Sequence, residues 1–448
     1  MIELDDLRHE FQPDPASTVR SRVRYQVLAF GVALAAITYL DRVCIAQTAT
    51  VMMDELRLSE RKMGFVFSAF TLAYAIFEIP TGAWGDRIGT RRVLTRIVVW
   101  WSSFTIATAA AFSYVPLLII RFLFGMGEAG AFPNITKTFS RWFPISERGT
   151  AQGIFFMGAH LGGGLTPMLV TALLWVMPWR LVFVVFGLVG FVWAVGWFRW
   201  FRDHPAQHPA VSRAELKHIE SGRRPEASHR LDASVLCRIL TNRSLAALCL
   251  MYFTQAYGFY FNITWLPTYL EKARGFTGTK LGVLAGLPLV CSAVADVLGG
   301  LTTDRVTRRY GLRAGRSGVG AAALLVAGVA LIAGATAQNG LVAALLIALA
   351  GAAASFLLGS CWGVCIDIAG PHAGLVSACM NTSGQVGAVL SPIILPVFLD
   401  RTPKDWTTPL CIAGLLYLAG ALCWWFVDPK KPIVLDQTGR AIEDRKTQ

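Results

Sequence analysis

The chain has 448 residues, 54% of them hydrophobic and only 15% charged, with a formal net charge of +13. Soluble domains carry about a quarter charged residues, so this composition excludes an ordinary soluble enzyme and points to an all-α membrane protein. The basic excess is spread over many short loops, which excludes the single clustered basic surface that a nucleic-acid-binding domain needs.

A spanning helix needs about 20 mostly apolar residues. Twelve stretches meet that measure, centred near residues 36, 73, 103, 126, 160, 189, 257, 290, 327, 354, 386 and 416. The first begins near Tyr25 and continues past Ala46, too long for a signal-peptide core and uncut by a small-residue cleavage site. It is therefore read as a helix of the mature protein, and it carries Asp41 and Arg42. The second holds Tyr74, for which packing and donation to a substrate are equal readings. One turn on is Glu78, read as a partner of nearby loop arginines.

The second stretch runs into "GAWGDRIGTRR", Gly82 to Arg92. The fourth contains "RFLFGMGEAGAFPN", with Arg121 and Glu128 seven positions apart. Its glycines 125, 127 and 130 suit close helix packing, and Pro133 a kink or loosening of the end. The fifth carries His160 in "GAHLGGGLTP", where a helix–helix hydrogen bond and a substrate contact are both open readings.

A polar stretch, "HPAQHPAVSRAELKHIESGRRPEASHR", then separates six helices from six, with a short surface helix expected over 213–220. In the second half, Gln255, Tyr257, Tyr260 and Asn262 precede "WLPTYL". Asp296 lies near the end of the eighth stretch, which continues as "GLTTDRVTRRYG", Gly300 to Gly311. Ser360, Trp362 and Asp367 fall in the tenth, and Asn381, Thr382 and Gln385 in the eleventh. Cys361 and Cys365 share a helix face but lack further ligands, so they are read as small apolar core residues. Neither a metal nor a cofactor is expected.

The two loop motifs repeat each other. Each has Gly, then Asp-Arg four residues later, then an Arg-Arg pair, and Asp86 and Asp304 stand 218 residues apart. Positive-inside bias supplies arginines but not the same Gly–Asp spacing twice, and duplicated halves are a signature of secondary transporters. Gly82 and Gly300 would let helices approach closely. Asp86, Arg87, Arg91, Asp304 and Arg305 would form a latch that breaks as the halves rock. Asp296 is read as belonging to it.

The layout and the "GxxxDRxGxRR"-type loop resemble the major facilitator superfamily. "GEAGAFPNITKTFSRWFPISERGTAQG" and "FNITWLPTYL" are similar to its organic-anion:cation symporter family, the likeness covering roughly residues 25 to 428. The second loop departs from the pattern, with Thr303 and Thr307 in place of Gly85 and Gly89. The resemblance implies the major facilitator fold of two pseudo-symmetric six-helix bundles and a carrier that works as a monomer. It also implies functional roles for the Asp-Arg pair, Asp41 and Arg42, and for Arg121 and Glu128. The expected organisation is an N-terminal tail (1–24), a first bundle (25–201), a linker (202–243), a second bundle (244–428) and a C-terminal tail (429–448). Most Lys and Arg fall in loops on the side of the tails, so both termini are expected in the cytoplasm of a cell that carries the protein in its inner membrane. Those loops would also meet anionic lipid of the bilayer.

Four ionisable groups thus sit deep in the first half, each costing about 2.5–3.5 kcal/mol at a helix centre. Buried ion pairs are weak devices for stability alone, so the cluster is assigned a use. Arg121 and Glu128 share a face about 10 Å apart, too far for an unstrained pair. Arg121 is read as the anion clamp, because guanidinium meets carboxylate as a bidentate fork. Arg42 is read either as a second anion contact or as the group that keeps Asp41 ionised. With both acids ionised the cluster is neutral; a carboxylate substrate makes it −1, and a proton on Asp41 or Glu128 restores neutrality, so anion and proton favour each other's binding.

Neutral donors of the second half (Tyr257, Asn262, Ser360, Trp362, Asn381 and Thr382), with Tyr74 and His160, would recognise hydroxyls. The expectation is a proton-coupled symporter importing a small organic anion, a sugar acid such as a hexuronate or aldonate, by alternating access. The alternatives are a dicarboxylate or aromatic acid as cargo, given Trp362 and the tyrosines, sodium coupling or exchange as the mechanism, or an anion sensor. No nucleophile–base constellation marks an enzyme.

Overall fold

The computed structural model describes residues 21–221, 233–401 and 405–433, so most of both expected tails and the middle of the linker lie outside the described residues. The first half contains α1 (Val23–Leu56), α2 (Glu60–Ile88), α3 (Thr90–Thr108), α4 (Tyr114–Glu128), α5 (Ala131–Trp142), α6 (Arg148–Leu174) and α7 (Trp179–Trp200). The linker contributes α8 (Arg213–Glu220) and α9 (Ala233–Leu240). The second half contains α10 (Arg243–Thr264), α11 (Leu266–Lys272), α12 (Gly278–Tyr310), α13 (Val319–Thr336), α14 (Gly340–Phe356), α15 (Leu358–Ala369), α16 (Ala373–Arg401) and α17 (Thr407–Cys423). With α4–α5, α10–α11 and α14–α15 each forming one broken span, this is an all-α membrane protein of twelve spans in two bundles of six.

The break after α4 decides where Glu128 stands. Gly130 takes φ of 84°, a left-handed conformation that L side chains rarely adopt. An added Cβ there would lie 2.7 Å from the Thr81 side chain. Asn134 then fastens the new turn, its side-chain amide donating to Gly130 O (2.7 Å) and Thr81 O (3.2 Å). Glu128 is thereby the last residue of α4. Pro133 falls in the first turn of α5, where a missing N–H costs nothing; the break comes from Gly130 rather than from the proline.

The linker is tied to the bundle. The buried Glu215 of α8 accepts from the backbone N–H groups of Val23 (3.0 Å) and Arg24 (3.2 Å) and from the Ser21 hydroxyl (2.5 Å). It thus caps an α1 whose own first turn has no acid. Arg24 and His218 share Glu147 at 2.9 and 2.7 Å, and His208 packs edge-on against Trp200 and Trp142. Both described chain ends lie on this side, since Ile433 donates its N–H to Ile368 O.

The halves meet along α2 against α16 and α6 against α12. A Cβ on Gly82 would lie 2.7 Å from Gly374 O, and one on Gly300 would press on Gly149 O. These small residues bring the backbones together. The halves are closed on the side of the chain ends, where loop aspartates of each half accept backbone hydrogen bonds from the other.

Candidate functional site

Arg42 donates through Nε to Glu128 Oε1, joining α1 to the end of α4. Glu128 is fully buried, its other oxygen without a partner, whereas the Arg42 side chain keeps 16% exposure. The guanidinium sits among aromatic rings, 4.6 Å from the Tyr74 centroid, 5.3 Å from Phe70 and 5.4 Å from Tyr39, which adds cation–π attraction to the ion pair.

Arg121 is placed differently from expectation. It is buried, its guanidinium 4.3 Å from the Phe124 ring and 5.4 Å from Phe70. These rings and the packing of α4 keep it off the cavity wall, so the cation that faces the cavity is Arg42. Nor does Arg42 hold Asp41. Asp41 is buried with neither oxygen accepting a hydrogen bond, and Arg42 spends its contact on Glu128.

An inner cavity of about 60 Å³ is lined by Arg42, Tyr74, His160, Gln255, Tyr260 and Asn381, among others. It shares Arg42, Tyr39, Tyr74, Tyr260 and Gln385 with a wider one of about 1340 Å³, which runs past Phe65, Tyr114 and Ile393 to the side remote from the chain ends. Arg42 is the one charged side chain that lines both, among the described residues.

The second half contributes through helical phase. α10 turns Tyr252, Gln255, Phe259 and Tyr260 to the cavity, a spacing of three and four. Tyr257 and Asn262 fall on other faces: Tyr257 against Phe253, and Asn262 beside Gly351 of α14. Ser360 also leaves the wall, sharing a hydrogen bond with Thr303 at 2.7 Å. Trp362 lies one layer beneath, packed on Phe156 and donating to the Tyr252 hydroxyl at 3.3 Å. Asn381 lines the cavity, while Thr382 does not.

Two acids have partners other than those expected. Glu78 meets no loop arginine; it accepts from the Asn381 amide and from the Thr382 hydroxyl at 3.1 Å. Asp296 lies 2.6 Å from His160 Nδ1 and not in the loop latch. Both are two turns away from the loop acids, too far up their helices to reach them.

The latch aspartates bind helix starts across the halves. Asp86 accepts from the N–H groups of Gly374 (3.0 Å) and Leu375 (2.9 Å). Asp304 accepts from those of Gly149 (3.0 Å) and Thr150 (2.6 Å). Their cations are other than those expected. Lys137 lies 3.7 Å from Asp86, and Arg316 lies 3.2 Å from Asp304 and 2.9 Å from Asp367, which also holds Arg148 at 2.8 Å. Arg87 and Arg305 are exposed, and Arg91 turns back to Phe198 O of its own half. Lys137, Arg148 and Arg316 were hidden in sequence by the general arginine and lysine bias of these loops. Tyr39 and Tyr252 had no signal beyond their depth in an apolar run. Among the described residues no group of three or more His, Cys, Asp or Glu is placed to hold a metal.

Residues 31–392 and 248–445 match the Major Facilitator Superfamily. The chain is 34% identical to the probable sulfoacetate transporter of Cupriavidus necator, over 92% of this chain and 95% of that one. It is 30% identical to the probable galactarate/D-glucarate transporter of Escherichia coli K12, covering 90% and 94%, and 29% identical to the hexuronate transporter of Bacillus subtilis, covering 91% and 96%. Among solved structures it superimposes on the proton:xylose symporter XylE with a TM-score of 0.73 at 16% identity, covering 91% of this chain and 96% of that one. The human organic anion transporter MFSD10 gives 0.69 at 15% identity, covering 90% and 100%.

Proposed function

This chain belongs to the Major Facilitator Superfamily, a family of transporters and not of enzymes, and we propose that it imports a small organic anion together with protons. The observation that carries this reading is Arg42: a guanidinium on the wall of both cavities, ringed by aromatic faces and held by a buried carboxylate. Anion carriage is also what its relatives are named for. A sugar acid, hexuronate or aldonate, fits a cavity that offers one strong cation and several hydroxyl and amide groups.

The proton sites are Glu128 and Asp41. A substrate carboxylate on Arg42 competes with Glu128 for the guanidinium. A proton on Glu128 releases Arg42 to the substrate and keeps the cluster neutral, so each ligand favours the other. Arg121 behind the wall balances Asp41. Alternating access then exchanges the closed latch of Asp86 and Asp304 for closure at the other side, with Gly82 as the close-contact point. The loop charges support termini in the cytoplasm and residence in the inner membrane; the carrier acts as a monomer.

Thermal stabilisation of the purified protein by a panel of sugar acids, with their neutral parent sugars, tests the reading. Acids should stabilise more strongly at pH 5.5 than at 7.5, and Arg42→Gln should abolish the effect. Equal stabilisation by a neutral sugar would overturn it. In cells or vesicles, uptake should collapse with an uncoupler and ignore sodium.

A further inference from the structure

Asp296 stands eight residues before Asp304, as Glu78 stands eight before Asp86, so the 218-residue repeat that relates the loop aspartates also relates Glu78 to Asp296. Both acids are fully buried and both reach across to the opposite half. The repeat therefore contains its own comparison. In one half the acid is met by the neutral amide and hydroxyl of Asn381 and Thr382; in the other it is met by an imidazole, which can carry charge. That imidazole lines the inner cavity together with the guanidinium of Arg42. Its Nδ1 is occupied by Asp296 Oδ2, so Nε2 is the nitrogen left to meet a ligand.

We propose, building on the anion-carrier reading above, that His160 and Asp296 form a second acid-recognising subsite. The preferred substrate is then a small dianion that bridges the inner cavity, one acid group on Arg42 and the other on His160. As imidazolium, His160 gives Nδ1–H to Asp296 and Nε2–H to the substrate. The titratable groups facing this space from the packed elements are Tyr39 and Arg42 of α1, Tyr74 of α2, and Tyr252 and Tyr260 of α10. None of them is a carboxylic acid, so Asp296 is the counter-charge of the imidazolium. The Arg42–Glu128 and His160–Asp296 pairs each sum to zero, and a bound dianion adds two negative charges. Two protons restore neutrality: one at the Glu128–Asp41 site proposed above and one on Asp296, which touches the second subsite. A monoacid needs only one.

The test is calorimetric titration of the full-length protein with acids matched in chain length, galactarate against galactonate and glucarate against gluconate. The wild type should prefer the diacid. His160→Gln should lower the ratio of diacid to monoacid affinity about 10- to 100-fold, the loss of one charge-assisted hydrogen bond. Glu78→Gln, at the repeat-related position, should scale both affinities by the same factor. A wild type without diacid preference, or a His160→Gln variant that weakens both acids equally, overturns the subsite and leaves the carrier reading intact. Failure of the wild type to bind any acid overturns both.

Discussion

At the scale of single residues, the structure pairs Arg42 with Glu128 and buries Arg121 against phenylalanine rings. The sequence alone makes Arg121 the anion clamp and Arg42 a second anion contact or the holder of Asp41. Charge in an apolar segment is legible because it is costly, and two of the four groups, Arg42 and Glu128, meet directly. What spacing along one helix could not reveal was the partner on another helix, or the phenylalanines that keep Arg121 from the cavity. If Glu128 carries the coupled proton, Glu128→Gln should separate two activities. Exchange of labelled for unlabelled anion across vesicles should persist, while accumulation driven by a proton gradient should be lost. Retention of gradient-driven accumulation would exclude Glu128 as the proton site.

At the scale of elements, helix existence was readable and helix phase was not. Apolar length and loop arginines gave twelve spans, and the paired Gly–Asp motifs gave the two halves. Tyr257, Asn262, Ser360 and Thr382 were misplaced because each lies within a turn of a true lining residue, and a broken or bent helix hides its own phase. Gly130 shows how one element end serves the site. Replacement by Ala would force an L side chain to φ of 84°, a strain of about 1–2 kcal/mol, and push its Cβ against Thr81. Gly130→Ala should therefore lower the unfolding temperature and weaken anion binding together, since the same turn places Glu128. Thermal unfolding with and without a bound acid measures both.

At the scale of the molecule, the described start of the linker, residues 202–221, packs onto the first bundle. His208 is buried beside Trp142 and Trp200, and burial first, then the Arg202 charge, pushes its pKa below the ordinary imidazole value of 6.5. A depressed imidazole pKa means that the folded state favours the neutral ring. Its contribution is complete above pH about 6.5 and is lost as pH falls through the lower folded value. Limited proteolysis of the linker should accordingly be faster at pH 5 than at pH 7.5, and His208→Phe should flatten that dependence. Unchanged cleavage across this range would show that His208 does not govern docking.

Glu215 gives this arrangement a direction in time. The carboxylate that completes the first turn of α1 belongs to a segment made almost two hundred residues later. A nascent chain emerging from the ribosome must therefore hold its first spanning helix in the bilayer with an unfinished end while five more are inserted. Only when α8 emerges can Glu215 replace water at that end, so the linker adds its clasp after the first six spans have been made.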